Sequence, residues 1–261
     1  MQHTLAEGLS RIAPWAWPLA LGILGALMGS FIAALVIRWP QGRSVLTGRS
    51  TCDACGRTLA PADLVPLVNA LWLRGRCRAC RAPIDPRHWQ IELVAAMVGM
   101  VAGLAVPGPA ALAGALFGWL LLAPAALDVT EYWLPDRLVM TLAVAGVCVG
   151  LLGVPPSLSD RLFGGAAGFA SLWLIAVLYR LIRHREGLGG GDPKLFGAIG
   201  LWLGWRILPA VLVLACLVGF AALLMRLVAG HAVAGQDRLP FGALLAIAAY
   251  PAWLVMLAFG V

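Results

Sequence analysis

Charge is scarce in this chain. Of its 261 residues, Asp, Glu, Lys and Arg make up 12%, about half the share usual in a soluble domain. Histidine is scarcer still: His3, His88, His184 and His231 are the only four, and none is followed by glutamate. That excludes the H-E-x-x-H helix of a membrane zinc protease. No histidine falls inside an apolar run to face a mid-run serine such as Ser171, so a serine protease of the membrane is excluded too. The glycines at 189–191 have no strand before them and no G-K-[ST] ending after them, and form neither a phosphate-binding loop nor a dinucleotide fingerprint. No internal repeat is visible. The first apolar run lacks a small-residue cleavage site with a polar chain beyond it, so it reads as a retained span and not a signal peptide.

What the chain does have is apolar length. It is 61% hydrophobic with a mean hydropathy of +0.90. Apolar runs lie near 15–37, 91–106, 110–127, 138–154, 162–182, 195–205, 207–227 and 240–261, two of them short. Only helices satisfy their own backbone groups in lipid at such lengths. The expected fold is therefore an all-α polytopic membrane protein of about eight transmembrane helices, with a four-cysteine zinc-type loop between the first and second. That loop, 38–90, carries nine arginines against three acids, which assigns it to the cytoplasm. Alternation then places 128–137, 183–194 and 226–238 on the same side and both termini outside. The connections 107–109 and 155–160, on the far side, contain no Lys or Arg. The net charge of +7 follows from this topology and from contact with anionic lipid, and no nucleic acid partner is expected. The organisation reads as 15–106 for the first span, loop and second span, 110–227 for a catalytic core, and 240–261 for a last span.

Within the loop, Cys52-x-x-Cys55 and Cys77-x-x-Cys80 are separated by twenty-one residues. Two such pairs match a four-cysteine zinc site, each pair forming a knuckle and the thiolates completing a tetrahedron. A segment this short buries little core, so the metal supplies folding free energy. Cytoplasmic placement argues against disulfides. Cys148 and Cys216, inside apolar runs, read as small core residues.

Two acids stand at the edges of apolar runs. Asp128 follows one directly, with Glu131 and Asp136 nearer bulk water; Asp192 follows Gly189-Gly190-Gly191. A carboxylate near lipid is costly unless paired, solvated or protonated, so each is a functional candidate. Two carboxyls a few ångströms apart do not readily both ionise. One then draws a proton from water for attack on a scissile carbonyl and the other supports the oxyanion, either acid serving as base. Gly189 and Gly191 let a substrate backbone approach. The bland alternative pairs Asp192 with Lys194 and Asp128 with an arginine. Asp136 reads as a helix-start charge next to Arg137, with Pro135 marking the start. A rival from another class is a proton- or cation-coupled transporter with a regulatory zinc loop, which would put its acids near mid-bilayer among broken helices.

Taken in order, these residues resemble the bacterial type IV prepilin peptidases, bifunctional leader peptidases and N-methyltransferases of pilus and type II secretion systems. The likeness rests on Gly29-Ser30-Phe31 through Arg38-Trp39-Pro40, the four cysteines with Asp63-Leu64-Val65-Pro66-Leu67 and Leu73-Arg74-Gly75-Arg76-Cys77 between them, and Glu92. It continues through Asp128 before Leu134-Pro135-Asp136, and Gly189-Gly190-Gly191-Asp192 with Lys194 as the G-x-G-D signature. Ala33 stands where the family usually has asparagine, and the stretch between Pro40 and Cys52 is shorter than in many members. The resemblance implies that Asp128 and Asp192 are the catalytic pair and that the substrate is a prepilin or pseudopilin with a short basic leader. Cleavage would follow a glycine at the cytoplasmic face of the bacterial inner membrane. It also implies methylation of the new N-terminal amine with S-adenosylmethionine, associated with the cysteine loop. Glu131 and Asp136 are candidates to hold the leader.

Overall fold

A computed structural model of the protein describes residues 13–45, 49–230 and 239–259. Among them all regular structure is helical, and the only bridges are Thr51 with Thr58 and Arg76 with Pro83. Both chain ends, and 231–238 of the expected cytoplasmic connection 226–238, lie outside the described residues. The chain forms two compact units, Met1–Ala123 and Pro124–Val261.

The first unit contains α1 (Ala16–Arg38), the short α2 (Val68–Trp72), α3 (Arg87–Ala105) and the beginning of α4 (Pro109–Glu131). Helices α1 and α3 approach backbone to backbone because Gly22, Gly25 and Gly29 share one face of α1 and Gly99 and Gly103 one face of α3. A Cβ on Gly29 would stand 2.6 Å from the Glu92 Cα, and one on Gly25 or Gly99 would meet the backbone of Ala95 or Leu21. Trp119 of α4 donates its indole N–H to the Ala95 carbonyl at 2.8 Å.

The second unit holds the end of α4, α5 (Asp136–Leu151), α6 (Leu158–Arg183), α7 (Asp192–Leu203), α8 (Leu208–Val228) and α9 (Phe241–Phe259). Its centre is α7, of which every residue but Lys194 and Leu201 is buried. Gly197 and Gly200 of α7 meet Gly164 and Gly165 of α6, and Trp202 donates to the Leu142 carbonyl of α5 at 2.7 Å. Arg161, 1% exposed, donates to the carbonyls of Gly146, Val154, Pro155, Pro156 and Leu201 at 2.9–3.2 Å.

An apolar helix stands at each of the eight expected runs, and six of them are long and apolar enough to cross a membrane. The exceptions are α5, with 16 residues, and α7, with 12. At 1.5 Å per residue α7 is about 18 Å long, short of a hydrocarbon core of about 30 Å. Its neighbours enclose it, so bilayer thickness does not set its length. Cys148 and Cys216, expected in the core, are exposed on α5 and α8. An apolar sequence around a cysteine does not say which face of the helix it occupies.

Candidate active site

Three elements of the second unit converge. The last turn of α4 supplies Asp128, and the chain then turns at Tyr132, which adopts a left-handed φ of 52°. The Gly-rich loop enters α7, whose first residue is Asp192. The third element is the start of α9. Asp128 and Asp192 are buried, 6% and 5% exposed.

The Ala243 amide donates to Asp128 Oδ2 at 2.8 Å, and the Gly189 amide donates to Asp192 Oδ2 at 3.0 Å. The Gly242 amide is directed at both carboxylates. The orphan N–H groups and positive end of α9 thus face the acids. A Cβ added to Gly242 would lie 3.1 Å from Asp128 Oδ2 and 3.1 Å from Asp192 Oδ1. One oxygen of each acid therefore faces a common point at hydrogen-bonding distance.

The glycines before Asp192 have separate tasks. A Cβ on Gly189 would come 3.0 Å from Asp192 Oδ2, and one on Gly191 would come 2.8 Å from the Leu134 Cβ, whereas Gly190 has nothing within 4 Å. The G-x-G pattern thus marks the two positions where a side chain would collide. The bland pairing is corrected: Lys194 bonds Asp136 Oδ1 at 2.7 Å, so Lys194 is the partner of Asp136, in place of Arg137, and does not reach Asp192. Glu131 is exposed at the end of α4. Sequence reasoning missed Leu134, Gly242 and Ala243. The available signal was Pro240-Phe241-Gly242 opening an apolar run, a proline before a helix and a glycine in its first turn.

In the first unit the four cysteines come together as spaced, with their sulfurs all within 4.8 Å of one another and Cys52 and Cys80 3.9 Å apart. A tetrahedron with metal–sulfur bonds of about 2.3 Å has edges of about 3.8 Å, so the donor set fits zinc. The two knuckles repeat one hydrogen-bond plan. Cys52 N–H donates to Arg57 O and Gly56 N–H to Cys52 O, both at 2.9 Å; Cys77 N–H donates to Ala82 O at 2.9 Å and Arg81 N–H to Cys77 O at 3.0 Å. Each knuckle turns through a left-handed residue, Gly56 at φ 69° and Arg81 at φ 60°. Backbone N–H groups of Cys80 and Ala79 hold the Cys77 thiol down to about 6. The Ala82 amide favours the Cys80 thiolate, but burial and the sulfurs of Cys77, Cys55 and Cys52 push it up to about 11.

Beside the knuckles are two adjoining cavities of about 130 and 360 Å³, both bordered by Arg38, Asp63, Asp85 and His88, the smaller also by Glu92. Arg78 pairs with Asp63 at 2.9 Å. Arg87 grips Asp85 at 2.6–3.1 Å and holds its carboxyl below the usual carboxylate range.

Known proteins bear the same arrangement of segments. Residues 23–106, with all four cysteines, match the Bacterial Peptidase A24 N-terminal domain, and residues 115–224, with both aspartates, match the Type IV leader peptidase family. The prepilin leader peptidase/N-methyltransferase of Aeromonas hydrophila is 34% identical over 280 residues, covering 97% of this chain and 93% of its own length. The chain belongs to the type IV leader peptidase family. Its namesake relatives in Burkholderia pseudomallei strain K96243, 38% identical over 94% of this chain and 89% of theirs, and in Pseudomonas aeruginosa, 35% identical over 94% and 91%, extend the likeness. No solved structure matches. The start of α9, with Gly242 and Ala243, lies beyond both matched family regions.

Proposed function

We propose that this chain removes the leader peptide from type IV prepilins or pseudopilins and methylates the amine it uncovers. Membership of the family and the names of its relatives support both activities, and nothing favours a transporter. The observation that carries the peptidase reading is the convergence of Asp128 and Asp192 on one point at Gly242.

At that point a water accepts and donates hydrogen bonds to both acids, which hold one proton between them. The ionised carboxylate takes a proton from the water as its oxygen bonds to the scissile carbonyl carbon. The protonated one donates to the carbonyl oxygen and then, as the tetrahedral centre collapses, a proton goes to the leaving amine. No covalent intermediate is needed. The Gly189 amide fixes Asp192 Oδ2 so that Oδ1 faces the water, and the Ala243 amide holds in place the Asp128 Oδ2 that faces it. Gly189 and Gly191 admit Asp192 and Leu134 so closely that no side chain fits there, and a substrate backbone would approach the loop at the open Gly190 between them.

The eight apolar helices lie in the inner membrane, six of them long enough to cross it and the short α7 enclosed by its neighbours, with the cysteine loop and the aspartate pair at the cytoplasmic face and both termini periplasmic. Lipid and the pilin substrate are the partners this arrangement requires. We assign 15–106 to methyl transfer, 110–227 to the peptidase and 240–261 to a last span whose first amides face the acids, although the two compact units divide at Ala123–Pro124. Cys52, Cys55, Cys77 and Cys80 hold a structural zinc ion. S-adenosylmethionine, when bound, would supply an electrophilic methyl for the newly uncovered amine, its C–S electron pair remaining on sulfur and the displaced amine proton going to water.

The test is leader cleavage of a co-reconstituted prepilin by wild type, Asp128→Asn and Asp192→Asn, with folding verified by elution profile and zinc content. Loss of cleavage in both variants is expected; retained cleavage in either sinks the two-aspartate mechanism.

A further inference from the structure

The peptidase chemistry occupies the second unit and uses nothing of the cavities in the first. Three acids border the smaller cavity, and their surroundings differ. Asp63 is paired with Arg78 and Asp85 with Arg87. Glu92, 7% exposed in the second turn of α3, has neutral partners and an imidazole. It accepts from the Leu67 amide at 2.9 Å and from the Ser30 hydroxyl, with His88 Nδ1 at 3.7 Å. A buried carboxylate without a guanidinium or ammonium partner is costly, and one that borders a cavity is a candidate functional group whose charge a cationic ligand would complement.

Its support is built with strain. Leu67, whose amide reaches Glu92, sits at a left-handed φ of 61°, a conformation that costs a leucine free energy and persists only where the surroundings impose it. Gly29 lets α1 close on Glu92, with room for no side chain. Arg38 lines the same space. The pocket therefore offers a fixed negative charge and a positive charge in one recess, with Ala34 and Ile84 as apolar wall.

We infer that this recess is the S-adenosylmethionine site, with Glu92 facing the sulfonium and Arg38 the methionine carboxylate. The inference rests on the methyl-transfer reading above. Glu92 borders the smaller cavity, about 130 Å³, which adjoins the larger one of about 360 Å³ at the shared Arg38, Asp63, Asp85 and His88, so the donor, a zwitterion with an additional positive sulfur, would extend from Glu92 into the larger space. Charge complementarity of that kind distinguishes the donor from S-adenosylhomocysteine, whose sulfur is neutral.

The experiment is equilibrium binding of tritiated S-adenosylmethionine and S-adenosylhomocysteine to the full-length, zinc-loaded protein in detergent, with folding of each variant checked by zinc content. Glu92→Gln keeps the hydrogen-bonding shape and removes the charge. It should weaken S-adenosylmethionine by about tenfold or more, the size of one charge-assisted contact, and leave S-adenosylhomocysteine near its wild-type affinity. Ala34→Phe, which fills the recess without altering charge, should weaken both ligands alike. Wild-type binding of S-adenosylmethionine with both variants unchanged would overturn the site while leaving methyl transfer intact. Failure of the wild type to bind either compound would overturn the methyl-transfer reading and the site with it.

Discussion

Gly242 is where the peptidase geometry is most exposed to test. In Gly242→Ala the new methyl would stand 3.1 Å from an oxygen of each aspartate and 2.6 Å from the Leu134 Cδ1. Ordinary carbon–carbon contact is about 3.5–4.0 Å, so Leu134 or α9 must yield by about 1 Å. The methyl also takes the seat of a water bridging both acids. Misplacement on that scale costs about a hundredfold in rate, and loss of acid–base assistance about a hundredfold or more. Because the two losses overlap, a fall in kcat on the order of a thousandfold is expected, about 4 kcal/mol in the barrier. The KM for prepilin should change little, since pilin contacts elsewhere are intact. Gly190→Ala is the control: nothing lies within 4 Å of its Cβ and its φ is not left-handed, so it should cleave at close to the wild-type rate. The assay is conversion of reconstituted prepilin to mature pilin, followed over time at several substrate loadings. A folded Gly242→Ala enzyme that cleaves normally would refute the shared water position. Equal damage from Gly190→Ala would mean that the loss comes from loop stiffening and not from occupied space.

Two further outcomes follow from the same structure. Replacing Cys77 by serine should abolish stoichiometric zinc, read by mass spectrometry of the purified protein, and lower the melting temperature of the first unit, because a small ribbon loses the metal that completes it; full zinc occupancy would refute the four-sulfur site. Arg161→Met removes donors from five carbonyls at once and should cost about 3 kcal/mol or more, seen as a lower unfolding midpoint in detergent, with Arg161→Lys recovering only part because three donors replace five.

What the sequence made legible was whatever repeats locally. Apolar runs announced the eight helices, and the C-x-x-C pairs announced the four-sulfur cluster, since each knuckle closes within six residues, from Cys52 to Arg57 and from Cys77 to Ala82. The ion pairs were misread for a geometric reason. Neighbours one or two positions apart on a helix point to different sides, so Lys194 at the third position of α7 turns away from Asp192 and meets Asp136, on another helix.

The same limit explains why the part that the start of α9 plays at the acids escaped notice. The bond from the Ala243 amide to Asp128 joins residues 115 positions apart, and nothing in either segment names the other. Yet both acids needed partners that local sequence did not supply: Asp192 found one in its own loop, at Gly189, while Asp128, in the last turn of α4, had no free amide nearby. An α-helix consumes its own N–H groups except at its start. A buried carboxylate at the end of one helix therefore calls for the beginning of another, and a glycine there is what lets that beginning come close enough to serve two acids at once.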